Sequence, residues 1–277
     1  MSDRLAPYST RNVPRYTSYP TAPHFNDGVD GTLYAAWLRD LPADTPLSLY
    51  LHVPFCREIC HYCGCHTKAS RKDAPLDAYA RMLASEIELV ARHLGGNRKV
   101  SHVHWGGGTP SLLPAKRLID LAGLMRVVFN LVPGLEHAME LDPRHVTADL
   151  AVTLAAIGIN RTSLGVQDLD PGVQLAIGRV QPLGVVQAAV EHLRRAGLAA
   201  INFDLMYGLP HQTRETILNT VAHTLDLRPS RIALFGYAHV PWMKKHQRLI
   251  DEAALPTPPE RLDLANVARE ALLAGGY

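Results

Sequence analysis

Apolar and polar positions along this chain of 277 residues fall into two alternating rhythms. Short apolar runs that end in polar or glycine residues lie at 48–53, 101–105, 137–141, 162–166, 201–206 and 231–237, and they predict β-strands. Between them, apolar residues recur three and four apart at about 77–93, 115–129, 147–157, 183–196 and 213–225, and again after the last strand at 259–274, which predicts amphipathic helices. Gly95-Gly96, Gly158 and Gly197 stand where helix-stop signals belong. Strands alternating with helices imply an α/β protein with a parallel sheet. Six such units suggest an incomplete (β/α)6 barrel related to the eight-unit TIM barrel; an open doubly wound sheet is the competing architecture. Residues 1–46 are rich in Pro, Tyr and Thr, with a short helical pattern near 33–38, and read as an extended N-terminal arm. The expected division is arm 1–46, barrel 47–245, and the start of a C-terminal region at 246–277.

Composition narrows this little. Hydrophobic content of 47% and charged content of 19% suit an ordinary packed core. A net charge of +2 argues against a dedicated binder of nucleic acid or of anionic membrane. No stretch approaches the roughly 18 apolar residues of a membrane span. The N-terminus has no basic segment followed by an apolar run, so no secretory signal is read, and a cytoplasmic location is expected. The 14 histidines are dispersed, without metal-pair spacing.

The chemistry lies in the cysteines. All four, Cys56, Cys60, Cys63 and Cys65, fall in one loop after the first strand, and the rest of the chain has none. Three thiolates spaced C-x3-C-x2-C can hold three irons of a 4Fe-4S cluster and leave the fourth open to a ligand. Duller readings compete. A disulfide framework needs an oxidising compartment, and cysteines so close together strain disulfide geometry. Structural zinc takes two separated ligand pairs, and no second pair exists. Incidental buried cysteines do not cluster this way. Ferredoxin spacings use C-x2-C repeats and four ligands.

Other polar groups collect at the expected strand ends. Gly106-Gly107-Gly108-Thr109-Pro110 lets backbone approach a neighbour without a Cβ in the way, but lacks the lysine of a P-loop and the G-x-G-x-x-G of a dinucleotide site. Glu140 and Asp142 end the third strand; Asp142 reads equally as a helix N-cap. Gln167 and Asp204 place polar groups in apolar strands, where they need partners. Arg179 suits a carboxylate on a cofactor or a propionate, or else is a solvated loop arginine.

The x3-then-x2 spacing resembles that of the radical S-adenosylmethionine enzymes. Within them the chain is similar to the oxygen-independent coproporphyrinogen III oxidase family, over essentially its whole length. The resemblance rests on Pro14-Arg15-Tyr16-Thr17-Ser18-Tyr19-Pro20-Thr21-Ala22, Leu49-Tyr50-Leu51-His52-Val53-Pro54-Phe55-Cys56, Cys63-Gly64-Cys65, His104-Trp105-Gly106-Gly107-Gly108-Thr109-Pro110, Glu140-Leu141-Asp142-Pro143-Arg144, Gly165-Val166-Gln167-Asp168, Asp204-Leu205-Met206-Tyr207-Gly208-Leu209-Pro210 and Tyr237-Ala238-His239. It implies Cys56, Cys60 and Cys63 as ligands of the 4Fe-4S cluster, with Cys65 outside the motif. It implies two molecules of S-adenosyl-L-methionine. The first draws on Tyr50, Gly107 and Glu140, and the second on Tyr62, Gly108, Thr109, Gln167, Arg179, Asp204 and Ala238.

The reaction implied is decarboxylation of two propionates of coproporphyrinogen III to vinyl groups, by a cofactor-borne radical and without a protein acid or base. The resemblance also implies a one-electron donor such as a flavodoxin or ferredoxin, and a monomer is expected. The alternative is a haem-binding chaperone on the same scaffold; the arm motif and Cys65 favour the oxidase. The chain departs from the family at Gly236, where a polar residue is common. It also stops at Ala274-Gly275-Gly276-Tyr277, where family members lead into a helical C-terminal domain, so a truncated member, with turnover in doubt, is expected.

Overall fold

The computed structural model describes residues 24–277 together with Pro7 and Thr21. The arm motif at 14–22 therefore lies outside the described residues, Thr21 excepted. The short helical pattern of the arm forms α1, Gly31–Asp40, whose N-cap Asp30 accepts from Leu33 N–H. Arg98 fastens the stretch that follows, its buried guanidinium donating to the carbonyls of Leu41, Pro42 and Leu94.

Six parallel strands make the sheet: β1 (Leu47–Val53), β4 (Lys99–Gly107), β5 (Asn130–Leu141), β6 (Arg161–Gln167), β7 (Ala200–Tyr207) and β8 (Arg231–Gly236). Two further strands of two residues each, β2 (Phe55–Cys56) and β3 (Lys68–Ala69), pair with each other inside the cysteine loop. The spatial order follows the chain without reversal. A doubly wound sheet needs a point where strand order turns back; here every unit adds to the same edge, as in a barrel. Among the described residues, β1 and β8 are the two edges of the sheet.

The helices cover the sheet as their periodicity dictates. α2 (Ala74–Leu94) buries Leu76, Ala80, Leu83, Ile87 and Leu94, and α6 (Leu183–Arg195) buries Val186, Ala189, Val190 and Leu193. α3 (Ala115–Val128), α4 (Ala148–Ala156) and α7 (Arg214–Leu227) do likewise. The stripes of α2, α3, α4 and α6 meet strand residues such as Trp105, Met139, Leu164 and Phe203 in one continuous core, while Ile217 and Val221 of α7 belong to a second, smaller cluster. Gly158 and Gly197 end their helices at φ of 89° and 87°, a region that a Cβ disfavours. The last helix, α8 (Pro258–Ala274), lies on α7, where Leu264, Val267, Ala268 and Leu272 pack against Ile217 and Val221.

The structure differs from the sequence reading in three places. β5 begins at Asn130, not 137, because its register against β4 jumps from Leu131 to Glu136 and the Pro133-Gly134 stretch bulges out. α5 (Pro171–Ala176) has only six residues, too few to show a period; Asp170 caps it by accepting from Gly172 and Val173 N–H. The β2–β3 pair was not expected, since two-residue strands carry no alternation. Among the described residues, no helix is long and apolar enough to cross a membrane.

Candidate functional site

In a parallel sheet all strands point the same way, so the segments after β1, β4, β5, β6, β7 and β8 share one face. The cysteine loop follows β1. Pairing of Phe55 with Lys68 and of Cys56 with Ala69 closes its base, and Cys63 N–H donates to Cys60 C=O at 3.1 Å to tighten its tip. All four cysteines are free thiols, Cys60 buried and Cys65 exposed. The Cys56 sulfur accepts from Thr67 Oγ1 at 3.6 Å and Thr109 Oγ1 at 3.4 Å. Burial pushes the Cys56 thiol above its ordinary pKa, and the two threonines pull it partly back. Among the described residues, no three His, Cys, Asp or Glu side chains gather closely enough to hold a single metal ion. A soft all-thiolate donor set suits an iron–sulfur cluster.

The glycine loop at the end of β4 is stitched to the cysteine loop: Gly108 N–H donates to Val53 C=O at 2.9 Å and Thr109 N–H to Phe55 C=O at 2.7 Å. A Cβ on Gly108 would lie 2.5 Å from the Phe55 carbonyl oxygen, and one on Gly107, at φ 110°, 2.6 Å from the His52 ring. Glycine is thus required first by the approach of the protein's own backbone and rings. That same approach leaves Gly107 N–H beside Glu140, whose Oε2 accepts it at 3.2 Å while Oε1 accepts from His104 Nε2 at 3.2 Å. Tyr50 stacks on His104 with ring centroids 5.8 Å apart. Burial, reinforced by the Glu140 carboxylate, pushes its phenol up to about 12. Tyr50, Gly107 and Glu140 therefore form one group, with Glu140 half-exposed on the strand-end face.

The second group is looser. Arg179, 7% exposed, reaches three places at once: the Cys60 sulfur at 3.5 Å, Asp142 Oδ2 at 3.2 Å and the Gly165 carbonyl at 2.7 Å. Its Nε is buried without a hydrogen-bond partner among the described residues. Asp142 also caps the turn 143–145 and pairs with Arg144, so the capping reading of it holds. Burial would raise the Asp142 pKa, but Arg144 and Arg179 prevail and hold it at about 2. Gln167 ends β6 at φ 64°, next to Gly165 and Arg179. Asp204 is already partnered inside the sheet, accepting from Ser163 Oγ and Asn202 Nδ2 at 2.8 Å each. Thr109 is spent on Cys56. Tyr62 and Ala238 lie on either side of a residue the sequence reading missed: Gln247, whose Nε2 donates to both of their carbonyls. Gln247 sits in an irregular polar stretch whose pattern carries no signal. A cleft of about 470 Å³ opens at the other end of the sheet, near Asn97, Arg126 and the start of β5, and includes none of these candidates.

The comparisons define the class. The sequence profile of the Radical SAM superfamily matches residues 50–223, and the chain belongs to that superfamily. Its cofactors are accordingly a 4Fe-4S cluster and S-adenosylmethionine. Within the class, the chain is similar to the oxygen-independent coproporphyrinogen III oxidase of Bradyrhizobium diazoefficiens, 51% identical over 276 residues, covering 100% of this chain and 61% of that protein. The Paracoccus denitrificans protein of the same name is 46% identical, covering 99% and 61%. Among solved structures, coproporphyrinogen III oxidase from Escherichia coli, described as a radical SAM enzyme, superposes with a TM-score of 0.91 at 37% identity, covering 99% of this chain and 61% of that one. The chain thus spans about three-fifths of the length of these relatives.

The unpartnered Arg179 Nε, the half-exposed Glu140 and the three-thiol loop fit the two cofactors.

Proposed function

We propose that the chain carries out the radical step of coproporphyrinogen III oxidation: oxidative decarboxylation of two propionates to vinyl groups, giving protoporphyrinogen IX. The observation that supports this most is the junction of the Cys56–Cys65 loop with the Gly107–Glu140 pair, in a chain half identical to a named oxidase. Cys56, Cys60 and Cys63 ligate the cluster. When bound and reduced, the cluster and S-adenosylmethionine supply a 5′-deoxyadenosyl radical, and that chemistry is the cofactors' own.

The protein binds, orients and excludes water. Glu140 and the Gly107 carbonyl would receive the methionyl ammonium of the first S-adenosylmethionine, with Tyr50 beside them. A second molecule takes Tyr62, Gly108, Thr109, Gln167, Arg179, Asp204 and Ala238. Thr109 contributes there as a fixed dipole, since its hydroxyl is already bonded to Cys56, and Asp204 through the acceptor capacity that Ser163 and Asn202 leave free. Each propionate would give a β-hydrogen atom to the cofactor-borne radical, then lose carbon dioxide and pass one electron to an external one-electron acceptor, so no protein acid or base is needed. A small carrier such as a flavodoxin or ferredoxin provides the reducing electron, and the chain works as a monomer in the cytoplasm.

Anaerobic reconstitution with iron and sulfide tests this. The chain is expected to take up a 4Fe-4S cluster whose electron paramagnetic resonance changes on addition of S-adenosylmethionine, to form 5′-deoxyadenosine, and to release vinyl product from coproporphyrinogen III. Cys56→Ser, Cys60→Ser and Cys63→Ser are each expected to lose the cluster, and Cys65→Ser to keep it. Stable one-to-one haem binding without vinyl product defeats the oxidase reading in favour of the chaperone.

A further inference from the structure

The two edge strands of the sheet, β1 and β8, do not pair with each other. The loop after β1 carries the cysteines, so it lies at an open seam. The segment after β8 crosses that seam. Lys244 Nζ donates to the Cys65 carbonyl at 2.9 Å, His246 Nε2 to the Cys63 carbonyl at 2.6 Å, and Gln247 Nε2 to the Tyr62 carbonyl at 2.9 Å. A carbonyl only accepts, so His246 carries its proton on Nε2. Three donors from four consecutive positions thus take carbonyls at 62, 63 and 65.

Gln247 is the hub. It is fully buried, its Nε2 also donates to Ala238 C=O at 3.2 Å, and its Oε1 accepts from Val240 N–H at 2.6 Å. That arrangement fixes the amide orientation, because Nε2 faces two carbonyls and Oε1 faces an N–H. Ile250 and Tyr237, on either side of the segment, pack with Tyr62, so the loop is held by rings as well as by hydrogen bonds.

We propose that Lys244, His246 and Gln247 are positioning residues that strap the cysteine loop to the far edge of the sheet, fixing the spacing of Cys60, Cys63 and Tyr62 where the sheet itself cannot. The purpose assigned rests on the cofactor reading above; the strap itself rests on the hydrogen bonds alone. The segment straddles the boundary expected at 245.

Two measurements test it. In the metal-free chain, hydrogen exchange at the His61 and Cys63 amides is expected to quicken about tenfold in Gln247→Met, which keeps the bulk and removes the donor, while amides of β4 stay unchanged; tenfold is what losing one or two net hydrogen bonds gives. In the reconstituted chain, release of iron to a ferrous chelator is expected to accelerate by a similar factor in Gln247→Met and His246→Leu. It should stay near the parent rate in His246→Gln, which retains a donor. Lys244→Met, a change outside the core, is expected to show a smaller effect in the same direction, and it decides the matter together with His246→Leu if Gln247→Met fails to fold. Parent-like exchange and parent-like iron release in these variants overturn the strap, as does a His246→Gln protein as labile as His246→Leu. If the parent chain takes up no cluster at all, the cofactor reading fails, while the exchange measurement still reads the strap.

Discussion

Asp168 and His137 are buried ionisable residues, 1% and 3% exposed, with opposite tendencies. Burial raises Asp168 to about 6, even though Asp170 N–H, Gln212 and Thr220 all donate to it. Burial lowers His137 to about 4; its Nε2 accepts from Trp105 Nε1. The signs follow from which state binds more protons. For Asp168 the folded state holds the proton longer, so stability falls as pH rises from about 4 to about 6. For His137 the unfolded state binds the proton first, so stability rises as pH climbs from about 4 to about 6.5. Each is worth about 3 kcal/mol at most, and the two nearly cancel. Asp168→Asn is therefore expected to unmask the histidine: its thermal stability should rise steeply between pH 4 and 6.5, where the parent's is nearly flat. Equal slopes in parent and variant, read by calorimetry, would show that Asp168 is not buried in this way. Arg179→Met leaves Asp142 with Arg144 alone and strands part of a buried charge, at a cost of about 3 kcal/mol; denaturant unfolding checks it.

At the scale of elements, the glycine loop and the cysteine loop behave as one unit. Gly108→Ala drives a Cβ into the Phe55 carbonyl, which is backbone and cannot step aside. Overpacking of this kind costs about 1–3 kcal/mol, and here it pushes Thr109 away from Cys56. The variant is expected to unfold at lower denaturant and to retain less iron. Gly64→Ala, with nothing within 4 Å of its new Cβ, is expected to match the parent in both. Sequence reading saw the glycines as room for a ligand; the structure adds that the room is first taken by the protein. It also found α5 and the β5 bulge, which six residues and a Pro-Gly interruption had hidden.

At the scale of the molecule, α8 closes the outer layer beside the free edge strand. Buried Leu264, Val267 and Leu272 contribute roughly 1.5–3 kcal/mol each, and Ala268 less, a sum comparable with the stability of a typical domain. A chain ending after residue 250 would expose Ile217 and Val221. It is expected to be recovered mostly insoluble, or to unfold at far lower temperature than the 277-residue chain; similar melting of the two would mean that α8 is dispensable.

The strand and helix sequence, the barrel-type alternation and the three-cysteine loop were legible in the chain because each depends on spacing along it: period two, period three to four, and ligands within one loop. The superfamily followed from the same local pattern. Tertiary structure alone decided what meets across the strand ends. Arg179 joins Cys60 to Asp142, Thr109 turns to a cysteine, Asp204 is bonded by Ser163 of the neighbouring strand, and Gln247 ties the first loop to the last. Those contacts join residues tens to hundreds of positions apart, and sequence periodicity carries no record of such pairings. They arise only when parallel strands bring all their C-terminal ends to one face and leave two edges that a side chain must bridge.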